Sequence, residues 1–213
     1  MKKILRRVTG NPRVYDKIQL LAGARHVHRR IAGQIGCLRP DCLVLDLGGG
    51  TGSVRSLWAD TCIYVCLDID IHKLQGFKLK YPEGIALLSD ATHTPVRSGS
   101  VDAVLCIGLT HHLSDDTLIR LINESKRVLK DAGRLILVDA IWRPRRWVAR
   151  LLWRYDRGSY PRSAEALLQM LSPDYAMIHW ESFTLIHDYI LCIGAVRAAQ
   201  ARFYAGKGSG IPE

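Results

Sequence analysis

The sequence has no apolar run near the roughly 18 residues a bilayer span requires, so no helix is expected to cross a membrane. It has no internal repeat and no low-complexity block, which argues against solenoids and against disordered linkers. Met1-Lys2-Lys3-Ile4-Leu5-Arg6-Arg7 has the charge of a signal-peptide start, but Asn11-Pro12-Arg13 stands where the apolar stretch should follow. The expectation is a retained basic arm on a cytoplasmic protein. A cysteine–histidine cluster is missing too. Of six cysteines, Cys37 and Cys42 are five apart around a proline, without nearby histidines. No zinc site or other metal site is therefore expected. Cys62, Cys66, Cys106 and Cys192 lie in apolar, strand-like runs and read as buried reduced thiols, which fits a reducing compartment.

Acidic residues are scarce in two places. Residues 1–40 hold ten Lys/Arg against Asp16 alone, and residues 143–162 hold seven arginines against Asp156. The net charge is +10, so the rest of the chain is mildly acidic and the positive charge sits on two segments. Localised charge of this kind attracts anionic partners or forms a solvated face.

What the sequence does contain is a βα alternation. A helical reading covers Val14–Leu21 and continues through Ile31 to Ile35, ending at Gly36. Leu43–Leu47 then reads as a buried strand running into a glycine-rich turn and a first core helix. Ile63–Leu67, Ile85–Leu88, Val101–Ile107 and Arg134–Val138 read as further strands. Helices are expected over Ile71–Tyr81 and Asp115–Lys130, the second closed by Asp131-Ala132-Gly133. After a helix at Ala164–Leu171, Tyr175–Phe183 and Tyr189–Val196 are too close for a crossover helix and predict an antiparallel hairpin. The expected fold is α/β: a Rossmann-like, doubly wound, mostly parallel seven-stranded sheet with helices on both faces. The chain reads as a single domain at 213 residues. Its parts are a basic helical extension (1–40), a core (41–142), a basic insertion or lid (143–172), the hairpin (173–197) and a frayed tail (198–213).

The chemistry gathers at strand ends. Asp46-Leu47-Gly48-Gly49-Gly50-Thr51-Gly52 occupies the first strand–helix turn, where a doubly wound sheet binds its ligand. Asp68, ending the second strand, can accept hydrogen bonds from both hydroxyls of an adenosine ribose. The bland alternative makes it a cap for the following helix, with Asp70 as competitor. Asp90, directly after the third strand, can reach the amino edge of an adenine. His111 and His112 follow the fourth strand, where one imidazole can serve as general base, His112 being slightly preferred. Their alternative is packing of the loop. No carboxylate stands at ligand spacing from the pair.

In this order the residues resemble the class I S-adenosylmethionine-dependent methyltransferases, and most closely the small domains akin to quinone-biosynthesis C-methyltransferases. The family's D-x-G-x-G-x-G element is Asp46, Gly48, Gly50 and Gly52, and its acids after the second and third strands are Asp68 and Asp90. Its H-L ending is His111-His112-Leu113, and its L-K-x-x-G-R turn is Leu129–Arg134. The resemblance implies S-adenosyl-L-methionine as cofactor. Gly48, Gly50 and Gly52 would lie along its methionine portion, and Asp46 would hold the turn or, through water, the amine. Asp68 would bind the ribose and Asp90 the adenine.

The acceptor is expected to be a small molecule or lipid-linked. In residues 143–157, Trp147, Leu151 and Tyr155 share a helical stripe and Arg146, Arg150 and Arg154 another. That pattern suits either an anionic membrane surface or a lid. Nucleic acid is not expected as partner, since the fourth strand lacks an Asn/Asp-Pro-Pro-aromatic ending. A nicotinamide-dependent oxidoreductase and a non-catalytic binding module are the competing readings, the first weakened because Ser53 stands where a third glycine is needed.

Overall fold

The computed structural model describes residues 24–35, 41–58, 62–143, 153, 160–185 and 187–197. Helix α1 (Ala24–Ile35) precedes β1 (Leu43–Leu47), β2 (Ile63–Asp68), α2 (Ile71–Lys80), β3 (Ile85–Leu88) and β4 (Val101–Ile107). Helix α3 (Asp115–Val128), β5 (Leu129–Ile141), α4 (Ala164–Leu171), β6 (Tyr175–Thr184) and β7 (Asp188–Val196) complete it. One seven-stranded sheet has the order β3-β2-β1-β4-β5-β7-β6. Strands β1 to β5 pair in parallel, while β7 runs antiparallel to both β5 and β6. The doubly wound sheet with its terminal hairpin is as expected. The expected helix at Val14–Leu21 and the tail lie outside the described residues.

Side chains alternate across a strand, so each central strand feeds two cores. Leu45, Leu47, Val104 and Cys106 meet α3 and α4 on one face, through Leu118, Leu121, Leu167 and Leu171. Val44, Cys66, Ala103 and Leu105 meet α1 and α2 on the other, through Val27, Ile31, Leu74 and Phe77. Some of the N-terminal positive charge is met within the chain. Arg30 pairs with Glu181 of β6 at 2.7 Å and lies 4.4 Å above the Phe183 ring.

Two local expectations fail. The glycine turn leads, among the described residues, to a single 3-10 turn at Arg55–Leu57 and not to an α-helix. Thr51-Gly52-Ser53-Val54 are poor helix formers, and the short connection leaves them little room. Helix α3 also stops earlier than expected. Leu129, its C-cap, is already extended (φ −68°, ψ 140°) and pairs with Val101. The next β4 partner, Ala103, meets Arg134, so residues 130–133 form a bulge within β5. Lys130 folds back from that bulge onto both carboxylate oxygens of Asp102 at 2.8 Å.

The loop from β3 to β4 is clamped by Glu124 of α3. Its Oε1 accepts from the Thr94 amide at 2.6 Å and hydroxyl at 2.7 Å, and Arg127 donates to both of its oxygens. Arg127 comes first among the causes that hold the Glu124 carboxyl down at about 2, against desolvation and with help from Thr94. A lowered folded pKa adds stability that is complete above the ordinary carboxylate range and lost as pH falls toward 2. Glu124→Gln should cost about 2 kcal/mol at pH 7, allowing for solvent around the half-exposed Arg127. Thermal melts across pH should show the gap from wild type closing as pH falls from neutral toward 2.

Candidate cofactor and acceptor site

The sheet order reverses at β1, between β2 and β4, and the glycine turn lies at that reversal, where open α/β sheets bind ligands. Gly48, Gly50 and Gly52 all have positive φ, at 70°, 59° and 71°. Only glycine takes such angles in succession without strain. At Gly50 a methyl group would find nothing nearer than 3.7 Å, so the main chain there is open to an incoming ligand. At Gly52 the same methyl would strike the Phe77 ring. One glycine opens the turn and the other seats it on α2.

Three carboxylates surround the turn. Asp46 is buried beneath it. Its carboxylate accepts from the Tyr64 hydroxyl, and a methyl on Gly49 would lie 2.7 Å from its Oδ2. Burial pushes the Asp46 carboxyl up to about 7, the Tyr64 bond opposes the rise, and Asp68 adds to it. Asp46 thus supports the turn from below. Asp68 couples the turn to the end of β2. Oδ2 accepts the Gly50 N–H at 3.0 Å, Oδ1 accepts the Asp70 N–H at 2.8 Å, and Lys73 Nζ stands 3.7 Å away. The capping alternative does not apply to it: Asp70 caps α2 by accepting from the His72 N–H at 2.9 Å. Asp90 is exposed, with Oδ1 accepting the Thr92 N–H at 2.8 Å. Its loop is the one Glu124 clamps.

The two histidines part company. His111 is buried, at 9% exposure, while His112 is exposed with its ring 4.0 Å from that of His111. The ring Nδ1 of His111 meets Asp139, at the end of β5. Sequence spacing supplied no such carboxylate, because Asp139 arrives from the neighbouring strand. The signal lay in Leu135-Ile136-Leu137-Val138-Asp139, an apolar run ending in aspartate like those ending at Asp46 and Asp68. Asp139 also accepts from the Thr110 hydroxyl, from the Thr110 amide at 2.6 Å, from the His111 amide at 3.2 Å and from the Ala140 amide at 2.7 Å. Burial pushes its carboxyl up, but His111, Thr110 and Ala140 together hold it below the ordinary carboxylate range. An ionised Asp139 keeps the proton on Nδ1 and makes Nε2 the basic nitrogen of His111.

Arg162 staples the same loop from outside. It donates to Thr110 O at 2.9 Å, to Leu113 O at 2.7 Å and to Asp115 at 2.6 Å, and the Tyr160 N–H donates to His111 O at 3.1 Å. Aromatic rings wall the histidine. Trp153 meets His111 edge-on at 5.8 Å and His187 at 5.7 Å, and Trp142 lies 6.4 Å from Trp153. Tyr189 and Phe183 stack beyond them. Trp153 lay in a segment that sequence reasoning linked to the acceptor, whereas Phe183, His187 and Tyr189 did not. Apart from Arg143 and Trp153, the amphipathic stretch 143–157 lies outside the described residues, and no described helix is long and apolar enough to cross a membrane.

Residues 45–137 match the family described as a methyltransferase domain. Over that stretch, with this fold and glycine turn, the chain is similar to S-adenosylmethionine-dependent methyltransferases. Its fold is shared with geranyl diphosphate C-methyltransferase from Streptomyces coelicolor, 15% identical at a TM-score of 0.69, covering 81% of this chain and 76% of that one. The YcgJ protein of Bacillus subtilis is 18% identical at 0.70, over 82% of this chain and 100% of that one. In sequence the chain is 37% identical over 101 residues to an uncharacterized protein of Methanocaldococcus jannaschii, covering 47% of this chain and 41% of that protein. It is 31% identical over 107 residues to the probable tRNA methyltransferase 9B of Mus musculus, covering 46% of this chain and 22% of that protein. The match thus spans less than half the length of either relative.

Proposed function

We propose that this chain transfers the methyl group of S-adenosyl-L-methionine to an acceptor held over His111, at the carboxyl edge of β4 and β5. The observation that carries the reading is convergence. The open Gly50 backbone, Asp68 and the Asp139-held His111 stand at the ends of β1, β2, β4 and β5, on one edge of the sheet. The cofactor, when bound, supplies a sulfonium methyl poised for in-line displacement. Gly48, Gly50 and Gly52 lie along its methionine portion, while Asp68 receives the ribose hydroxyls and Asp90 the adenine amine. His111 takes the proton of the attacking acceptor through Nε2. The aromatic wall excludes water and aligns the acceptor.

The wall of Trp142, Trp153, His187 and Tyr189 favours a small-molecule or lipid-linked acceptor with apolar bulk. In the lipid case the 143–157 segment seats on an anionic membrane face. A second reading, RNA, draws on the net charge of +10 and on the tRNA methyltransferase among the relatives. Incubation of the protein with labelled cofactor and cell extract, separated into lipid, small-molecule and RNA fractions, tests these readings. Label is expected in the lipid or small-molecule fraction. Label only in RNA would reverse the choice of acceptor, and label only in the aqueous small-molecule pool would remove the membrane contact.

A further inference from the structure

Cys42 and Cys62 face each other across β1 and β2, at the end of the sheet away from the glycine turn. The parallel register pairs Leu43 with Ile63, so the two cysteines occupy the next positions outward, and the Ile63 N–H donates to Cys42 O at 2.9 Å. The Cys42 thiol donates to Cys62 Sγ at 2.6 Å. Neighbouring strands lie about 4.8 Å apart, within the roughly 4.4–6.8 Å that separates the Cα atoms of a disulfide. The backbone therefore already holds the spacing that a covalent link needs. The other described cysteines, Cys66, Cys106 and Cys192, are buried among apolar side chains of the two cores.

We propose that Cys42 and Cys62 form a thiol–disulfide modification site that staples the β1–β2 crossover. The loop so closed contains the whole Asp46–Gly52 turn, which ties the site to the cofactor loop without placing it in the acceptor chemistry. With glutathione disulfide as oxidant, the half-buried Cys62 thiolate attacks one glutathione sulfur and expels one glutathione thiolate. The Cys42 thiolate then attacks Cys62 Sγ and expels the second. Two protein thiols lose two protons and two electrons, and one glutathione disulfide becomes two glutathione molecules. Cys62 is the more accessible partner, while Cys42 is 4% exposed. Burial, the neighbouring Cys62 and Asp102 push the Cys42 thiol up to about 12, so the second step should quicken as pH rises.

The test uses the full chain, equilibrated in glutathione buffers from fully reduced to fully oxidised, then denatured in acid and tagged with a maleimide. The reduced protein should take six tags, one per cysteine in the sequence, and the oxidised protein four. Peptide mapping should find Cys42 joined to Cys62. The oxidised form should melt several degrees higher, because the closed loop restrains the unfolded chain. Cys62→Ser, at a half-buried position that tolerates a hydroxyl, should take five tags in either buffer and show no shift in melting. Six tags on the wild type in the oxidised buffer would overturn the proposal, as would a mapped link between other cysteines. Loss of two tags in Cys62→Ser would overturn it equally. None of these outcomes depends on which acceptor is methylated.

Discussion

Asp68→Ala should weaken S-adenosylmethionine binding by on the order of 100-fold, measured by calorimetry. Two charge-assisted hydrogen bonds to a ribose diol contribute roughly 3 kcal/mol together, and each 1.4 kcal/mol is a factor of ten. A second loss accompanies the first. Asp68 accepts the N–H groups of Gly50 and Asp70, so the alanine leaves both without this acceptor and frees the turn. The two contributions separate with 2′-deoxy S-adenosylhomocysteine as probe. Wild type should bind it more weakly than the ribose form, whereas Asp68→Ala should bind both alike. If the variant still discriminates between them, Asp68 only braces the turn.

His111→Ala should lower kcat by about 10²- to 10⁴-fold, with cofactor affinity little changed. In the wild type the rate should fall toward acid pH as Nε2 takes a proton, and the variant should lose that dependence. His112→Ala is expected to stay within a few-fold of wild type, since His112 is exposed and packs on the outside of the His111 ring. The opposite pattern, a silent His111→Ala and a dead His112→Ala, would move the base to the outer ring. Asp139 acts through His111. Asp139→Asn preserves size but offers His111 and Thr110 an amide in place of a carboxylate, so kcat should fall while the KM for cofactor holds. Its pH profile should shift as well, because the carboxylate that stabilises the imidazolium is gone. A loss of stability with an unaltered pH profile would reduce Asp139 to a clamp for the loop. Its lowered pKa adds stability above the ordinary carboxylate range, lost as pH falls, so the comparison belongs at neutral pH and above.

The chain order of the strands, the helices at Ile71–Lys80, Asp115–Val128 and Ala164–Leu171, the terminal hairpin, the glycine turn and the places of Asp46, Asp68 and Asp90 were legible in the sequence, but not the 3-10 turn where a first core helix was expected. Each rests on short-range chemistry: apolar period, the need for positive φ at Gly48, Gly50 and Gly52, and a carboxylate closing an apolar run. The bulge at 130–133 was not legible, because the strand pairing of Leu129 with Val101 overrides the turn suggested by Asp131-Ala132-Gly133. Nor was the choice between His111 and His112. Adjacent residues differ in environment only once β5 delivers Asp139 from 28 positions away. Cys42 and Cys62 came together the same way, through a parallel register that puts residues twenty apart side by side. The sequence by itself determined the strands, most of the helices, and the glycines and carboxylates that gather at the strand ends. Tertiary structure alone decided which imidazole is held and which thiols meet, because parallel pairing joins residues that no local pattern relates.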